Sequence, residues 1–276
     1  MRWRIASGEI ELGGRTRLMG VVNVTPDSFS DGGLFLDPEA AVRHGLELAA
    51  QGADYLDVGG ESTRPGSDPV PASTEIDRVV PVIKRLAAEV DVPISIDTRK
   101  AEVAAAALDA GASIVNDVSA GRDDPEMFEV VRESNAGFVL MHMLGDPMSM
   151  QQDPQYDDVV AEVQAFLAEG VEAAVAAGIE RDALCVDPGI GFGKTLEHNL
   201  ALLREIEAVR VEGVPQLVGP SRKAFIGRLT GADADDRVGG TAGAVAWLAA
   251  HGVEIVRVHD VREMRQVVQV VDAIHG

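Results

Sequence analysis

Residues 44–60, HGLELAAQGADYLDVGG, hold one complete unit of a fold. Apolar residues three and four apart read as an amphipathic helix, and Gly52 stands where that helix must stop, since glycine takes the left-handed C′ conformation without steric cost. The run Tyr55–Val58 follows, apolar on nearly every residue, as a parallel strand covered on both faces requires. Polar and glycine residues then end the unit. The same order recurs at 103–119 (VAAAALDAGASIVNDVS), 171–189 (VEAAVAAGIERDALCVDPG) and 244–260 (AVAWLAAHGVEIVRVHD), with Gly111, Gly178 and Gly252 at the helix stops.

Working outward gives eight strand candidates: Arg17–Val24, Tyr55–Val58, Pro93–Asp97, Ser113–Asp117, Phe138–His142, Leu184–Asp187, Gln216–Gly219 and Ile255–His259. Helical patterns lie between them, opened by start signals at Asp37-Pro38-Glu39, Ser73/Thr74, Asp124-Pro125-Glu126 and Thr195. Eight βα units in 276 residues predict a (β/α)₈ barrel, with a doubly wound open sheet as the alternative that periodicity leaves open. WRIASGEIEL, residues 3–12, reads as a short β-hairpin ahead of the first barrel strand. No Pro/Ser-rich linker interrupts the pattern, so residues 1–276 are expected to form a single domain.

Composition bounds the function. With 46% hydrophobic and 25% charged residues the chain has ample core material and is not a disordered one. Its net charge of −21 argues against nucleic acid or an anionic membrane surface as partner, because both need a basic face. A single cysteine, Cys185, excludes an intramolecular disulfide and any all-cysteine zinc site, and inside an apolar strand it reads as an inert core thiol. The N-terminus carries no signal-like apolar run and no stretch approaches 18 apolar residues, so a soluble, cytoplasmic protein is expected. The charge is uneven: residues 201–276 carry 10 acids and 9 bases, while residues 1–200 carry 35 acids and 15 bases. The last quarter of the chain is therefore the place to expect a bound anion.

Polar residues collect at the C-terminal ends of the strand candidates: Asn23, Asp57, Asp97, Asn116, His142, Asp187, Ser221, Lys223, Arg257 and His259. In a barrel these positions ring one mouth, where barrel enzymes keep their chemistry. Any one acid there could simply cap the next helix, but the set as a whole points to a site. Asp97 and Asp187 each close an apolar run, and a desolvated carboxylate needs donors or a metal. Together with Asn116 they suit a flat ligand edge with adjacent N–H groups, such as a 2-amino-pyrimidinone, better than a divalent metal, for which the dense Asp/Glu/His cluster is missing. Arg257 and His259 alternate along a strand and so share a face, and with Lys223 they place positive charge where barrels commonly hold phosphate. An ion pair inside the barrel is the competing reading of Arg257.

Two loops, NVTPDSFSDGG (23–33) and GGESTRPGSDP (59–69), are longer than minimal βα turns and rich in Gly, Pro, Ser and Asp, as binding loops are. Phe29 stands among polar residues and fits a ligand-covering role, and Arg64 is an anion candidate. PGIGFGK (188–194) lacks the spacing of a phosphate-binding P-loop, so Gly189, Gly191 and Gly193 are expected to turn tightly or to let backbone approach a ligand. Met141 and Met143 flank His142 and fall on the opposite face of the strand, with the inward face left open.

Taken in order, NVTPDSFSDGG, GGESTRPG, SIDT, NDVS, MHM, DPGIGFGK, SRK and RVHD resemble the motifs of dihydropteroate synthases, the folate-pathway enzymes that sulfonamides inhibit. The resemblance runs from about residue 17 to the C-terminus. It implies a (β/α)₈ barrel, a homodimer, and a reaction joining 4-aminobenzoate to 6-hydroxymethyl-7,8-dihydropterin diphosphate, with release of pyrophosphate and help from Mg²⁺. By the same resemblance the pterin is held by Asp97, Asn116, Val118, Met141, Asp187, Phe192, Gly219 and Lys223. Asn23, Thr63, Arg64, Arg257 and His259 hold the diphosphate, and Asn23 also lies at the metal. Phe29, Arg64, Pro65, Ser221 and Lys223 form around aminobenzoate, and Asp27 and Asp31 join Asp97, Asp187, Lys223, Arg257 and His259 in the catalytic set. Two alternatives stand beside this reading. A non-catalytic pterin-binding paralogue would be expected to lose loop residues that this chain keeps, and a pterin-binding methyltransferase barrel has no use for RVHD and SRK.

Overall fold

The computed structural model describes residues 1–25, 38–62, 67 and 69–275. The chain opens with an antiparallel hairpin, β1 (Arg2–Ile5) and β2 (Gly8–Glu11), paired from Arg2↔Glu11 to Ile5↔Gly8. Eight parallel strands follow: β3 (Arg17–Asn23), β4 (Tyr55–Gly59), β5 (Ile94–Asp97), β6 (Ile114–Asp117), β7 (Gly137–Met141), β8 (Leu184–Asp187), β9 (Leu217–Val218) and β10 (Ile255–Val258). Their order in the sheet is β8-β7-β6-β5-β4-β3-β10-β9. A parallel bridge between Val186 and Gln216, with Val186 N–H donating to Pro215 at 3.0 Å, joins the two ends and closes the barrel. The (β/α)₈ expectation is met and the open sheet is excluded.

The helices fill the outer layer: α1 (Pro38–Ala50), α2 (Ala72–Glu89), α3 (Ala101–Asp109), α4 (Met127–Ser134), α5 (Val159–Ala176), α6 (Leu196–Arg204), α7 (Ala224–Thr230), α8 (Val238–Ala250) and α9 (Val261–His275). Their starts were partly legible. Thr195 caps α6 in a reciprocal pair with His198, whereas α2 begins at Ala72, just before Ser73/Thr74, with Pro71 at its N-cap and no side-chain cap. Proline there needs no N–H and already has a helix-ready φ. The glycine stops behave as read, with φ +99° at Gly52 and +92° at Gly178.

Strand periodicity sorts the side chains into two sets. Leu18, Val22, Leu56, Val58, Ile94, Ile96, Phe138, Leu140, Leu184, Val186, Val256 and Val258 face the helices in one large core. Met19, Tyr55, Ile114, Val139, Cys185, Leu217 and Ile255 face the barrel axis and form a second, smaller core with Trp3, Ile5 and Leu12 of the hairpin region. Trp3 is fully buried and donates its indole N–H to the Ala183 carbonyl at 3.0 Å, so the hairpin stoppers the barrel at its N-terminal end. Cys185 lies in this apolar floor, and burial raises its thiol pKa, which makes it inert as expected.

Candidate active site

Two residues further along five of the strands, the axis-facing positions carry charged or amide side chains. Above Tyr55 comes Asp57, above Ser95 comes Asp97, above Ile114 comes Asn116, above Cys185 comes Asp187 and above Ile255 comes Arg257. Asp97 pairs in register with Asn116, and Asp187 with Met141, so these groups are carried by neighbouring strands at matching heights. The barrel thus changes from an apolar floor to a charged chamber within one strand repeat.

Arg257 organises the chamber. Its Nε donates to Asp57 Oδ2 at 2.6 Å and its Nη2 donates to Asp97 Oδ2 at 2.7 Å. Asn116 Nδ2 donates to the same Asp57 oxygen at 3.2 Å. The ion-pair reading of Arg257 is therefore what its geometry displays, while its side chain still lines the open end. Asp57, with no exposed surface, stood among the strand-end residues of the sequence reading but was given no part in holding a ligand. Its signal was its place at a strand end, which helix capping explained equally well.

The acids are perturbed as the chamber dictates. Burial raises Asp97, the nearby Asp57 charge adds to this, and Arg257 opposes it, because two carboxylates share one guanidinium. Its Oδ1 is buried and has no hydrogen-bond partner among the described residues. Burial raises Asp187 to about 6, against the Gly189 N–H that donates to its Oδ1 at 2.7 Å and the field of Lys223. Arg257 is kept charged against its burial by Asp57 and Asp97.

Beside the acids stand the bases expected from the last quarter of the chain. Lys223 precedes α7 and lies with its Nζ 4.0 Å from the centre of the Phe192 ring, a cation–π contact. Phe192 joins Val118, Met141, Met143 and Met150 in an apolar cluster at the mouth, which shows that both methionines flanking His142 turn inward. The His259 backbone N–H donates to Ser221 Oγ at 3.2 Å, and the same hydroxyl lies 3.0 Å from His259 Nδ1, tying the ends of β9 and β10 together. Burial and the neighbouring Arg257 lower His259 to about 3. Gly219 lies beside Arg257, where a Cβ would come 3.7 Å from the arginine Cβ. The half-buried Asn23 ends β3 on the axis side.

His142, one of the polar strand-end residues, does not join them. It points outward, edge-on to Phe166 of α5 at 4.7 Å between ring centres, and is buried there. This is the alternate face from Met141 and Met143, as the strand period requires. The glycines of PGIGFGK form a tight turn: φ is +66°, +87° and +62° at Gly189, Gly191 and Gly193, and a Cβ on Gly189 would stand 1.9 Å from the His142 carbonyl oxygen. Asp27, Phe29, Asp31, Thr63, Arg64 and Pro65 lie outside the described residues.

The sequence model of pterin binding enzymes matches residues 19–259. The dihydropteroate synthase of Mycobacterium leprae is 51% identical over 264 residues, covering 93% of each chain. Among solved structures, the fold is similar to Xanthomonas albilineans dihydropteroate synthase with 4-aminobenzoic acid, at a TM-score of 0.93 and 47% identity, covering 100% of this chain and 99% of that one. The same organism's enzyme in complex with 7,8-dihydropteroate gives a TM-score of 0.89 at 44% identity, covering 99% of both chains.

Proposed function

The chain belongs to the dihydropteroate synthase family and is a transferase of folate biosynthesis, and on that premise we propose how its residues divide the work. It joins 6-hydroxymethyl-7,8-dihydropterin diphosphate to 4-aminobenzoate, giving 7,8-dihydropteroate and pyrophosphate. The observation that carries the assignment of roles is the polar layer above the floor, where Asp97, Asn116 and Asp187 face one space and Asp97 Oδ1 has no partner among the described residues.

In this reading the pterin lies flat in the chamber. Asp97, Asn116 and Asp187 meet its N–H edge, Val118, Met141, Phe192 and Gly219 cover its faces, and Lys223 reaches its rim. Carboxylates accept paired N–H bonds strongly in a desolvated site. Loss of diphosphate breaks the CH₂–O bond and leaves a cation delocalised into the ring. Asp97 and Asp187 favour that positive charge, while Lys223, Arg257 and Arg64 balance the negative charge that departs and Thr63 and the neutral His259 hold its oxygens by hydrogen bonds. The aniline nitrogen then forms the new C–N bond and gives up one proton. Phe29, Arg64, Pro65, Ser221 and Lys223 seat the aminobenzoate, and Asp27 and Asp31 belong to the loop that excludes water.

Mg²⁺ is tested against the donor set. No group of three or more His, Cys, Asp or Glu residues among the described residues could hold an ion, and Asn23 supplies one neutral oxygen on the axis side of β3. This suits a magnesium ion shared with the substrate, since Mg²⁺ keeps most of its waters and binds through few protein groups plus phosphate. Asn23 would hold it, and it would supply charge neutralisation at the diphosphate. A single domain over residues 1–276, a homodimer and a cytoplasmic setting complete the proposal, and no described helix is long and apolar enough to cross a membrane.

The test is pyrophosphate release with both substrates, with and without Mg²⁺, in wild type and Arg257→Ala. The wild type is expected to release pyrophosphate only with both substrates present. Wild-type turnover by Arg257→Ala at saturating pterin diphosphate would overturn the role given to Arg257.

A further inference from the structure

A buried cation ends the turn after β8 and is bonded to no carboxylate among the described residues. Lys194 is 2% exposed, and its Nζ lies 2.9 Å from His142 Nδ1, 2.9 Å from the Phe192 carbonyl and 3.0 Å from the Gly189 carbonyl, with the His142 carbonyl at 3.4 Å. Burial pulls this ammonium down to about 7, with the Asp187 charge opposing. Three close acceptors nevertheless match the three N–H donors of an ammonium, which a neutral amine cannot supply. His142 is held neutral by burial and by Lys194 itself, so one ring nitrogen carries no proton, and opposite an ammonium 2.9 Å away that nitrogen is Nδ1, which accepts.

The groups that Lys194 gathers belong to two loops. His142 follows β7, and Gly189 and Phe192 sit in the turn after β8. That turn is also held from its outer side, where Gly191 N–H donates to Asn199 Oδ1 at 2.6 Å, Gln151 Nε2 to the Gly191 carbonyl at 2.6 Å and Tyr156 Oη to the Gly193 carbonyl at 2.9 Å. Of these fastenings only Lys194 grips the carbonyls of Gly189 and Phe192. The Gly189 N–H positions Asp187, and the Phe192 ring lies against Lys223. Asp187, Phe192 and Lys223 are all pterin groups in the reading above.

We propose that Lys194 is a positioning residue of the pterin pocket: its ammonium fastens the turn after β8 to the loop after β7, and so sets where Asp187 and Phe192 meet the pterin. This rests on the assignment of the chamber to pterin. His142 is the far anchor of the fastening, which explains why a histidine at a strand end faces away from the mouth. Ser221, an aminobenzoate group, is joined instead to His259 of the diphosphate set and is not among the groups that Lys194 gathers.

The experiment compares Lys194→Met, His142→Leu and His142→Asn with the wild type, in binding of 6-hydroxymethylpterin and in steady-state turnover. Folding is checked by circular dichroism. Lys194→Met is expected to weaken pterin binding tenfold or more while the KM for 4-aminobenzoate stays within twofold. His142→Leu is expected to weaken it severalfold, and His142→Asn, whose Oδ1 can replace Nδ1 as acceptor, to return it to within twofold. Folded Lys194→Met that binds pterin as the wild type does, or that raises both KM values equally, overturns the proposal. Should Lys194→Met fail to fold, the histidine pair decides: equal pterin binding by His142→Leu and His142→Asn overturns it. A wild type that binds no pterin would instead strike the pocket assignment itself.

Discussion

Replacing Asp57 by asparagine isolates the member of the chamber that touches no ligand in the mechanism above. Asp57 Oδ2 accepts from Arg257 Nε at 2.6 Å and from Asn116 Nδ2 at 3.2 Å, and the residue has no exposed surface. Removing one partner of a buried pair costs about 3–5 kcal/mol when the other is stranded. Arg257 is not stranded here, because Asp97 still receives its Nη2 at 2.7 Å and the asparagine oxygen can still accept. The loss is therefore closer to that of one charge-assisted hydrogen bond, about 1.5–3 kcal/mol. For a chain of this size that lowers the melting temperature by about 3–5 °C. Asp97 loses a neighbouring negative charge and moves toward the ordinary carboxylate range. Pyrophosphate release is expected to fall about tenfold, a loss of 1.4 kcal/mol in transition-state stabilisation, since Arg257 is then aimed by one carboxylate instead of two. Thermal unfolding and the release assay are run on Asp57→Asn, Arg257→Met and the double variant. Fully additive losses in the double variant would refute the argument that Asp57 acts through Arg257.

Other outcomes follow from the same geometry. Asp187 sits at about 6 against 3.8 for the ordinary carboxyl, so the ligand-free fold binds its proton more readily than the unfolded chain. Acidification from pH 7 toward 4 therefore adds stability through Asp187 while pterin affinity falls below pH about 6, and calorimetric binding across pH 5–8 reads the second effect. His142 and His259 carry the opposite sign: lowered to about 2 and about 3, they stay neutral when folded and cost stability as pH drops below 6.5. Gly189→Ala adds a Cβ 1.9 Å from a backbone oxygen at φ +66° and is expected to destabilise by about 3 kcal/mol or more, measured by urea unfolding. Trp3→Ala removes a fully buried ring and the bond to Ala183, for a loss of about 3–5 kcal/mol, while the KM values of the folded enzyme remain unchanged because the chamber lies at the other end.

The barrel was legible because its strands are short, buried on both faces and punctuated by glycines that only a left-handed stop explains, as at Gly52 and Gly178. Strand period also carried the site, since Asp97, Asn116, Asp187 and Arg257 occupy the axis face once the register is known. Two things were not legible. Asp57 and Asp97 look alike in sequence and both receive Arg257; only the folded barrel separates them, since Asp57 is fully buried beneath Arg257 and Asn116 while the Asp97 side chain keeps 10% of its surface exposed. His142 looked like one more mouth residue, because one residue past Met141 is enough to turn a side chain to the other face. Lys194 was absorbed into a glycine-rich motif whose glycines drew attention away from the cation that ends it.

The hairpin stopper has a kinetic consequence. With Trp3 sealing the lower end against Ala183, the chamber is a vessel with one opening, and whatever enters deepest leaves last. In the proposed assignment Asp97 and Asp187 end their strands while Ser221 and His259 lie beyond the ends of theirs, so a pterin seated on the two acids has the arylamine above it and, among the described residues, no second exit. Binding should then be compulsory in order, pterin diphosphate before 4-aminobenzoate, and the joined product should withdraw arylamine end first.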